Sequence, residues 1–395
     1  MNQKPLTYLR DGVIENKWSS RRLKNNIKSM IHISSVGLYL THECNLKCKH
    51  CFWGTSEPID DELNLSQWQS IIDQFIANGT YHYHICGREP FMSNKLLDIL
   101  NYLSFKKKTN KLKYGIITNG ILLKKYCHEL KNLDIDYLIF SLDGLRQGND
   151  FIRGKDNFEK TWEALELALK YKLAKSISTS TIIYSGNIDE IPNMVLELNR
   201  LGIKHIYLQP IMNYKMGNIE NLLILPEKMN DLLLILNDTI QNIDGAKIEV
   251  EIPPTYLPYM YKWNSDVKRG FDLYISNRDP IVEVGGSKFA FDYHIFCQAF
   301  WKRARITSDG YFLGCDVHIT TKDYKDYSLG NLKYESLENL IRSIDKNWMF
   351  ENTINSYQNM ECKKCKNFRF CLGGCRSMSF IKCNDWDKKD PMCTF

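Results

Sequence analysis

Residues 36–51 read VGLYLTHECNLKCKHC, and the rest of the chain is parsed from this stretch. Val36 to Thr41 is a short apolar run of strand type, and it leads directly into Cys44, Cys48 and Cys51, spaced CxxxCxxC. Thiols in a loop that follows a strand point to a metal site at one end of a sheet. A closed zinc site needs four ligands, usually from CxxC pairs, and only His42 or His50 lies near enough in sequence to complete one. A filled [4Fe–4S] cluster also takes four thiolates, so three would leave one iron open, the mark of a catalytic site.

Outward from this loop, helix and strand patterns alternate to about residue 210. Helical periods at Leu65 to Ala77, Leu96 to Leu103, Leu122 to Leu130, Phe158 to Tyr171 and Ile191 to Leu201 separate strand-like runs. Those runs are Tyr81 to Cys86, Tyr114 to Thr118, Tyr137 to Ser141, Ser176 to Ile183 and His205 to Gln209. Six βα units in series predict an α/β fold with a parallel sheet and right-handed crossovers, a barrel or a partial barrel. Function in such a sheet sits in the loops at the strands' C-terminal ends. Gly87-Arg88-Glu89-Pro90, Thr118-Asn119-Gly120, Ser141-Leu142-Asp143-Gly144 and Gln209-Pro210 all fall there, although NG and DG alone are ordinary turn dipeptides.

The expected organisation is a basic N-terminal extension at 1–35, with Arg21, Arg22, Lys24 and Lys28, then the barrel at 36–225. A helix and aromatic connecting region follows at 226–296, then a cysteine-rich domain at 297–395 containing a hairpin that turns at Ser308-Asp309-Gly310. Bound metal is expected to stabilise that last domain. With 395 residues, 44% hydrophobic and 25% charged, the chain is globular and neither fibrous nor disordered. No run reaches the ~18 apolar residues of a membrane span, and no secretory signal opens the chain, so a cytoplasmic location without membrane contact is expected. The net charge of +6 is spread over lysine-rich loops with no groove-reading motif, so nucleic acid is not an expected partner. Thirteen cysteines, an odd number, favour metal over a disulfide framework. Eight of them lie between Cys297 and Cys393, while Cys86 and Cys127 stand apart and read as packing residues.

A CxxxCxxC motif after the first strand of such a sheet resembles the radical S-adenosylmethionine (SAM) superfamily, over roughly Val36 to Pro210, and the resemblance implies that family's partial (β/α)6 TIM-like barrel. The resemblance implies that Cys44, Cys48 and Cys51 hold a [4Fe–4S] cluster whose open iron chelates SAM. Reductive cleavage of SAM would then give a 5′-deoxyadenosyl radical that abstracts a substrate hydrogen, the cofactors carrying the difficult chemistry. Gly87-Arg88-Glu89-Pro90 is similar to the family's GGEP segment, with Arg88 replacing the second glycine, and places Glu89 on the methionyl ammonium. Asn119 and Ser141 resemble ribose and methionine contacts, and Gln209 a sixth-strand contact. His50 holds a position that is usually Tyr or Phe, which puts a planar ring against the adenine. Arg153 is expected either on the SAM carboxylate or as a solvated helix-flanking charge.

A second resemblance comes from Cys297-x12-Gly310-x4-Cys315, then Cys362-x2-Cys365-x5-Cys371-x3-Cys375, then Cys393. This follows the seven-cysteine pattern of the SPASM domain, found on radical SAM enzymes that modify peptides and proteins. A zinc-ribbon-like knot of Cys362, Cys365, Cys371 and Cys375 is the alternative. Similarity to the anaerobic sulfatase maturases implies two auxiliary [4Fe–4S] clusters, the first on Cys297, Cys315 and Cys375, the second on Cys362, Cys365, Cys371 and Cys393. The first is then left with an open iron or with Asp292 or His294, and Cys383 competes as a further ligand. Asp316, directly after Cys315, resembles the maturases' catalytic base, and an exposed turn is its alternative.

The expected enzyme oxidatively modifies a ribosomally made peptide, through a crosslink, thioether or unsaturation, with electrons leaving through the auxiliary clusters. A sulfatase-type formylglycine maturase and a SPASM-type dehydrogenase or epimerase of a small carbohydrate are the alternatives. Expected partners are a peptide or protein substrate and an external electron donor or acceptor such as flavodoxin or ferredoxin. A separate leader-recognition protein joins them unless the basic segment or the aromatic region near Tyr256 to Trp263 serves.

Overall fold

The structure is a computed structural model that describes residues 31–53, 59–213, 219–243, 245–256, 259, 271–275, 299–319, 323–352, 361–371 and 373–395. In chain order the main elements of the first half are β1 (Ser35–Tyr39), α1 (Leu65–Ala77), β2 (His82–Cys86), α2 (Leu96–Lys107), β3 (Lys113–Thr118), α3 (Cys127–Leu130), β4 (Tyr137–Ser141), α4 (Arg146–Arg153) and α5 (Asn157–Tyr171). The second half adds β5 (Ser176–Ile183), α6 (Ile191–Leu201), β6 (His205–Pro210), α7 (Pro226–Ile240), β7 (Lys247–Ile252), β8 (Phe271–Ile275), β9 (Arg303–Ile306) and β10 (Phe312–Leu313). Four short helices follow: α8 (Asp316–Ile319), α9 (Leu337–Arg342), α10 (Phe368–Cys371) and α11 (Arg376–Cys383).

All ten strands share one sheet in the order β10-β9-β1-β2-β3-β4-β5-β6-β7-β8. Strands β1 to β8 are parallel to their neighbours, β9 runs parallel to β1, and β10 turns back antiparallel. The six expected units are therefore extended by β7 and β8, both inside the stretch that sequence patterning makes a connecting region. The physical reason is signal strength: β7 is a six-residue alternation, KIEVEI, behind a long helix, and β8 lies beyond an aromatic run with no clear period. The expected helix at Phe158 to Tyr171 is present but preceded by a second one, α4. The expected Leu122 to Leu130 helix is a 3₁₀ turn running into α3. The basic segment from Arg21 to Lys28, and Tyr261 and Trp263, lie outside the described residues.

Successive strand side chains point to opposite faces, and here one face is apolar. Val36 and Leu38, Tyr83 and Ile85, Leu138 and Phe140, and Ile206 and Leu208 are buried against Trp68, Ile71 and Phe75 of α1 and Met194, Val195 and Leu198 of α6. Helix α1 starts in a capping box: Asn64 accepts from Gln67 N, and the Gln67 side chain accepts from Asn64 N at 2.8 Å. The other face of the sheet is polar. Tyr137 OH donates to the Tyr83 carbonyl at 2.9 Å and lies 2.8 Å from His84 Nδ1. Gly115 leaves room for that ring, since a Cβ there would sit 2.4 Å from it. Among the described residues no helix is long and apolar enough to cross a membrane.

Candidate active site

The loop after β1 is bonded to segments that follow three further strands. Glu89 N donates to the Glu43 carbonyl at 3.2 Å, and Lys49 N donates to the Ile152 carbonyl of α4 at 2.8 Å. Asn119 Nδ2 donates to Asn45 Oδ1 at 2.8 Å. Segments following β2, β3 and β4 thus meet on the cysteine loop. Within it, Cys51 N donates to the Cys48 carbonyl at 3.1 Å and Leu46 N to Cys44 Sγ at 3.4 Å.

Cys44, Cys48 and Cys51 are half-buried free thiols. Burial pushes Cys44 up and Cys48 up to about 11, and the charge of Cys51 adds to both. Bare thiolates are disfavoured here, and a coordinating cation would relieve that by displacing the protons. Three neighbouring soft donors in one half-buried loop fit an iron–sulfur cluster by donor chemistry. Among the described residues no three His, Cys, Asp or Glu side chains crowd closely enough to hold a single metal ion.

Glu89 is fully buried. Its Oε1 accepts from Thr118 Oγ1 at 2.8 Å and Phe91 N at 3.2 Å, and its Oε2 from Asn119 N at 2.8 Å. Burial lifts the carboxyl to about 7, against the opposing pull of these donors. A carboxylate offers about four acceptor sites, so one remains for a ligand. Gly87, with φ of 110°, lets the segment turn over Tyr39, whose Cβ would lie 3.0 Å from a side chain at that position.

The Arg153 side chain, nearly buried, turns to a carboxylate of its own chain: Nε lies 2.6 Å from Asp143 Oδ2. Burial works against its charge, but Asp143 and then Cys48 hold the guanidinium protonated. His50 Nε2 is 3.5 Å from the same Asp143 oxygen, and burial lowers the ring to about 4, so the imidazole is neutral. Among the described residues its buried Nδ1 has no hydrogen-bond partner. Ser141 closes β4 in register with Ser180, and Gln209 Nε2 donates to Ser180 Oγ at 3.5 Å. The rim residues singled out by sequence therefore lie at neighbouring strand ends.

Asp316 lies across β1 from this rim. Arg305 grips its carboxylate, with Nε at 3.0 and 3.2 Å from Oδ1 and Oδ2 and Nη2 at 3.0 Å from Oδ2, and the Tyr39 hydroxyl donates to Oδ1. Burial would raise the Asp316 carboxyl, but Arg305 and Tyr39 hold it below the usual carboxylate range. The side chain still keeps 37% of its surface, so these partners do not seal it. Sequence reasoning missed both partners. The available signal was strand parity, because Tyr39 and Arg305 alternate with the buried Leu38 and with Ala304 and Ile306.

In the C-terminal region Cys315 stands just before α8 and Cys375 is the N-cap of α11. His318 Nε2 and Ser377 Oγ, 3.1 Å apart, tie the two helices. Cys362 has Cys371 and Cys393 among its charged neighbours, with Arg376 beside them. Asp390, buried, accepts from Cys375 N at 2.5 Å and Met392 N at 2.7 Å, and its carbonyl accepts from Cys393 N at 2.8 Å. Arg376, also buried and also missed by sequence reasoning, donates to the carbonyls of Trp386 at 3.0 Å, Lys388 at 2.7 Å and Gly373. Cys383 is exposed at the end of α11. Cys297, Asp292 and His294 lie outside the described residues.

The family model of the radical SAM superfamily matches residues 38–210, and that of the iron–sulfur cluster-binding SPASM domain matches 297–366. The antilisterial bacteriocin subtilosin biosynthesis protein AlbA of Bacillus subtilis is 25% identical over 342 residues, 85% of this chain and 65% of AlbA. This chain thus spans a little under two thirds of AlbA's length. The PqqA peptide cyclase of a Methylobacterium species is 22% identical, across 90% of this chain and 84% of that one. Among solved structures, Streptococcus suis SuiB bound to precursor peptide SuiA superimposes with a TM-score of 0.72 at 18% identity, covering 95% of this chain and 80% of SuiB. Native anSMEcpe with bound AdoMet and a peptide gives 0.65 at 20% identity, covering 90% and 92%. The two domains imply a SAM-binding [4Fe–4S] cluster plus auxiliary clusters. With a parallel sheet that carries a cysteine loop after its first strand and a cysteine-rich region after β10, the chain carries a radical SAM domain followed by a C-terminal SPASM domain.

Proposed function

We propose that this enzyme oxidises a ribosomally made peptide, forming a crosslink or thioether, at the junction of its two cysteine regions. The observation that carries the proposal is the Tyr39 to Asp316 hydrogen bond. It brings the segment of Cys315 to the end of the strand that bears the Cys44 loop, so a substrate there lies within reach of both regions. The names of AlbA and the PqqA cyclase, and the peptide held by SuiB, support a peptide substrate.

In this proposal Cys44, Cys48 and Cys51 hold the SAM cluster. Cys315 and Cys375 serve the first auxiliary cluster with Cys297, and Cys362, Cys365, Cys371 and Cys393 serve the second. When bound, these groups supply a 5′-deoxyadenosyl radical and electron acceptors. Glu89 takes the methionyl ammonium on its remaining acceptor site, while Asn119, Ser141 and Gln209 line the rim. His50 offers a neutral ring, and Arg153, held at Nε by Asp143, keeps only its terminal nitrogens for a carboxylate. Loss of a hydrogen atom, then an electron and a proton, oxidises the substrate by two electrons. Asp316, held ionised by Arg305, accepts that proton. A formylglycine-type oxidation is the second proposal, favoured by the placement of Asp316 directly after Cys315.

The test is anaerobically reconstituted full-length enzyme with SAM, dithionite and deuterium-labelled peptides. Deuterium appearing in 5′-deoxyadenosine together with a peptide lighter by two hydrogens is the expected result. Transfer from labelled sugars or cyclitols but from no peptide would overturn it.

A further inference from the structure

Arg88 departs from the glycine that the GGEP resemblance leads one to expect, and the structure gives it specific partners. Its Nη2 donates to the Trp53 carbonyl at 2.9 Å, two residues past Cys51. The guanidinium lies over the Trp53 ring, 5.2 Å from its centroid, and that ring packs edge-on against Tyr39 at 5.0 Å. Among the described residues its buried Nε has no hydrogen-bond partner. Among the described residues no carboxylate stands within ion-pair distance of Arg88, and the charged groups nearest in effect are the thiols of Cys51 and Cys44. Burial works against the guanidinium's charge, and those thiols favour it.

We propose that Arg88 is a positioning residue that clamps the Cys51–Trp53 turn against the end of β2 and, as an uncompensated cation, favours the reduced state of the SAM cluster. The inference rests on the assignment of Cys44, Cys48 and Cys51 as ligands of that cluster. Reduction adds one electron from an external low-potential donor and moves no proton, so the cluster site gains one negative charge. A fixed positive charge in a half-buried setting stabilises the more negative state, and potentials of such clusters follow local charge and exposure. Glycine at this position would supply neither the charge nor the clamp.

The experiment is an anaerobic redox titration of reconstituted full-length protein, monitored by electron paramagnetic resonance, with the SAM cluster identified by its spectral change on adding SAM. Arg88→Gln keeps a donor for the Trp53 carbonyl without the charge, and Arg88→Lys keeps the charge. The ratio of reduced to oxidised cluster at a fixed potential should fall about tenfold in Arg88→Gln, 59 mV for a one-electron couple, and stay within about twofold in Arg88→Lys. Should Arg88→Gln fail to load iron, Arg88→Met against Arg88→Lys makes the same comparison. Equal ratios in the charged and uncharged variants would overturn the proposal. A SAM-responsive signal that survives in the triple Cys44→Ala, Cys48→Ala, Cys51→Ala variant would instead overturn the ligand assignment beneath it.

Discussion

The loop of Cys44, Cys48 and Cys51 hangs from a strand inside a buried parallel sheet and is bonded to the ends of three neighbouring elements. The stretch from Cys362 to Cys393 has no such frame: its described elements are a 3₁₀ turn and two short helices, ordered around buried Arg376 and Asp390. In the first region the fold places the thiols, so the loop can change without unfolding the sheet. In the second, polar hubs carry the order and the clusters proposed there would add to it, so removing either should loosen the whole segment.

Substitutions separate these two plans. Asp316→Asn, at the junction, should cut product formation by about 10²- to 10⁴-fold while reductive SAM cleavage continues. Chromatography of peptide product and 5′-deoxyadenosine decides this, and parallel loss of both would make Asp316 structural. Arg376→Met leaves the part-buried carbonyls of Trp386 and Lys388 and the buried carbonyl of Gly373 without their donor, at about 1–3 kcal/mol for the buried one. It should release about four irons and expose the tail to protease while the SAM-responsive signal persists. In the sheet, Gly115→Ala forces a Cβ against Tyr137 and should lower stability by about 1–3 kcal/mol with iron content unchanged. Thermal unfolding is the check.

The smallest effect is one of pH. In its proposed role Glu89 has to be ionised to receive an ammonium, and burial lifts it to about 7, so SAM affinity should fall about tenfold from pH 8 to pH 6. Equilibrium binding to Glu89→Gln, weaker throughout, should lose that slope.

What the sequence made legible follows the same division. Strand ends and the loops they carry were readable because apolar, aromatic or β-branched runs alternate with helical periods from β1 to β6, and this set Cys44, Glu89, Asn119 and Ser141 on one rim. Strands β7 and β8 were not, because a six-residue alternation and an aromatic run give no decisive period. Tyr39 and Arg305 escaped because a polar inner face is a tertiary fact: β1 and β9 meet only once the chain has crossed the whole sheet. Arg376 escaped for a related reason, since its acceptors are backbone carbonyls, which no residue identity announces. Arg153 was visible as a charge, but its Asp143 partner was not.

The central claim is that one SAM cluster on the β1 loop and a separately held auxiliary set work on one substrate. Iron and labile sulfide per chain, in anaerobically purified wild type and in the triple Cys44→Ala, Cys48→Ala, Cys51→Ala variant, test it most directly. At about four irons per cluster, roughly twelve falling to about eight, with 5′-deoxyadenosine formation abolished and thermal unfolding little changed, is the predicted result. About four irons in the wild type with zinc in the remainder, or SAM cleavage surviving in the variant, would contradict it.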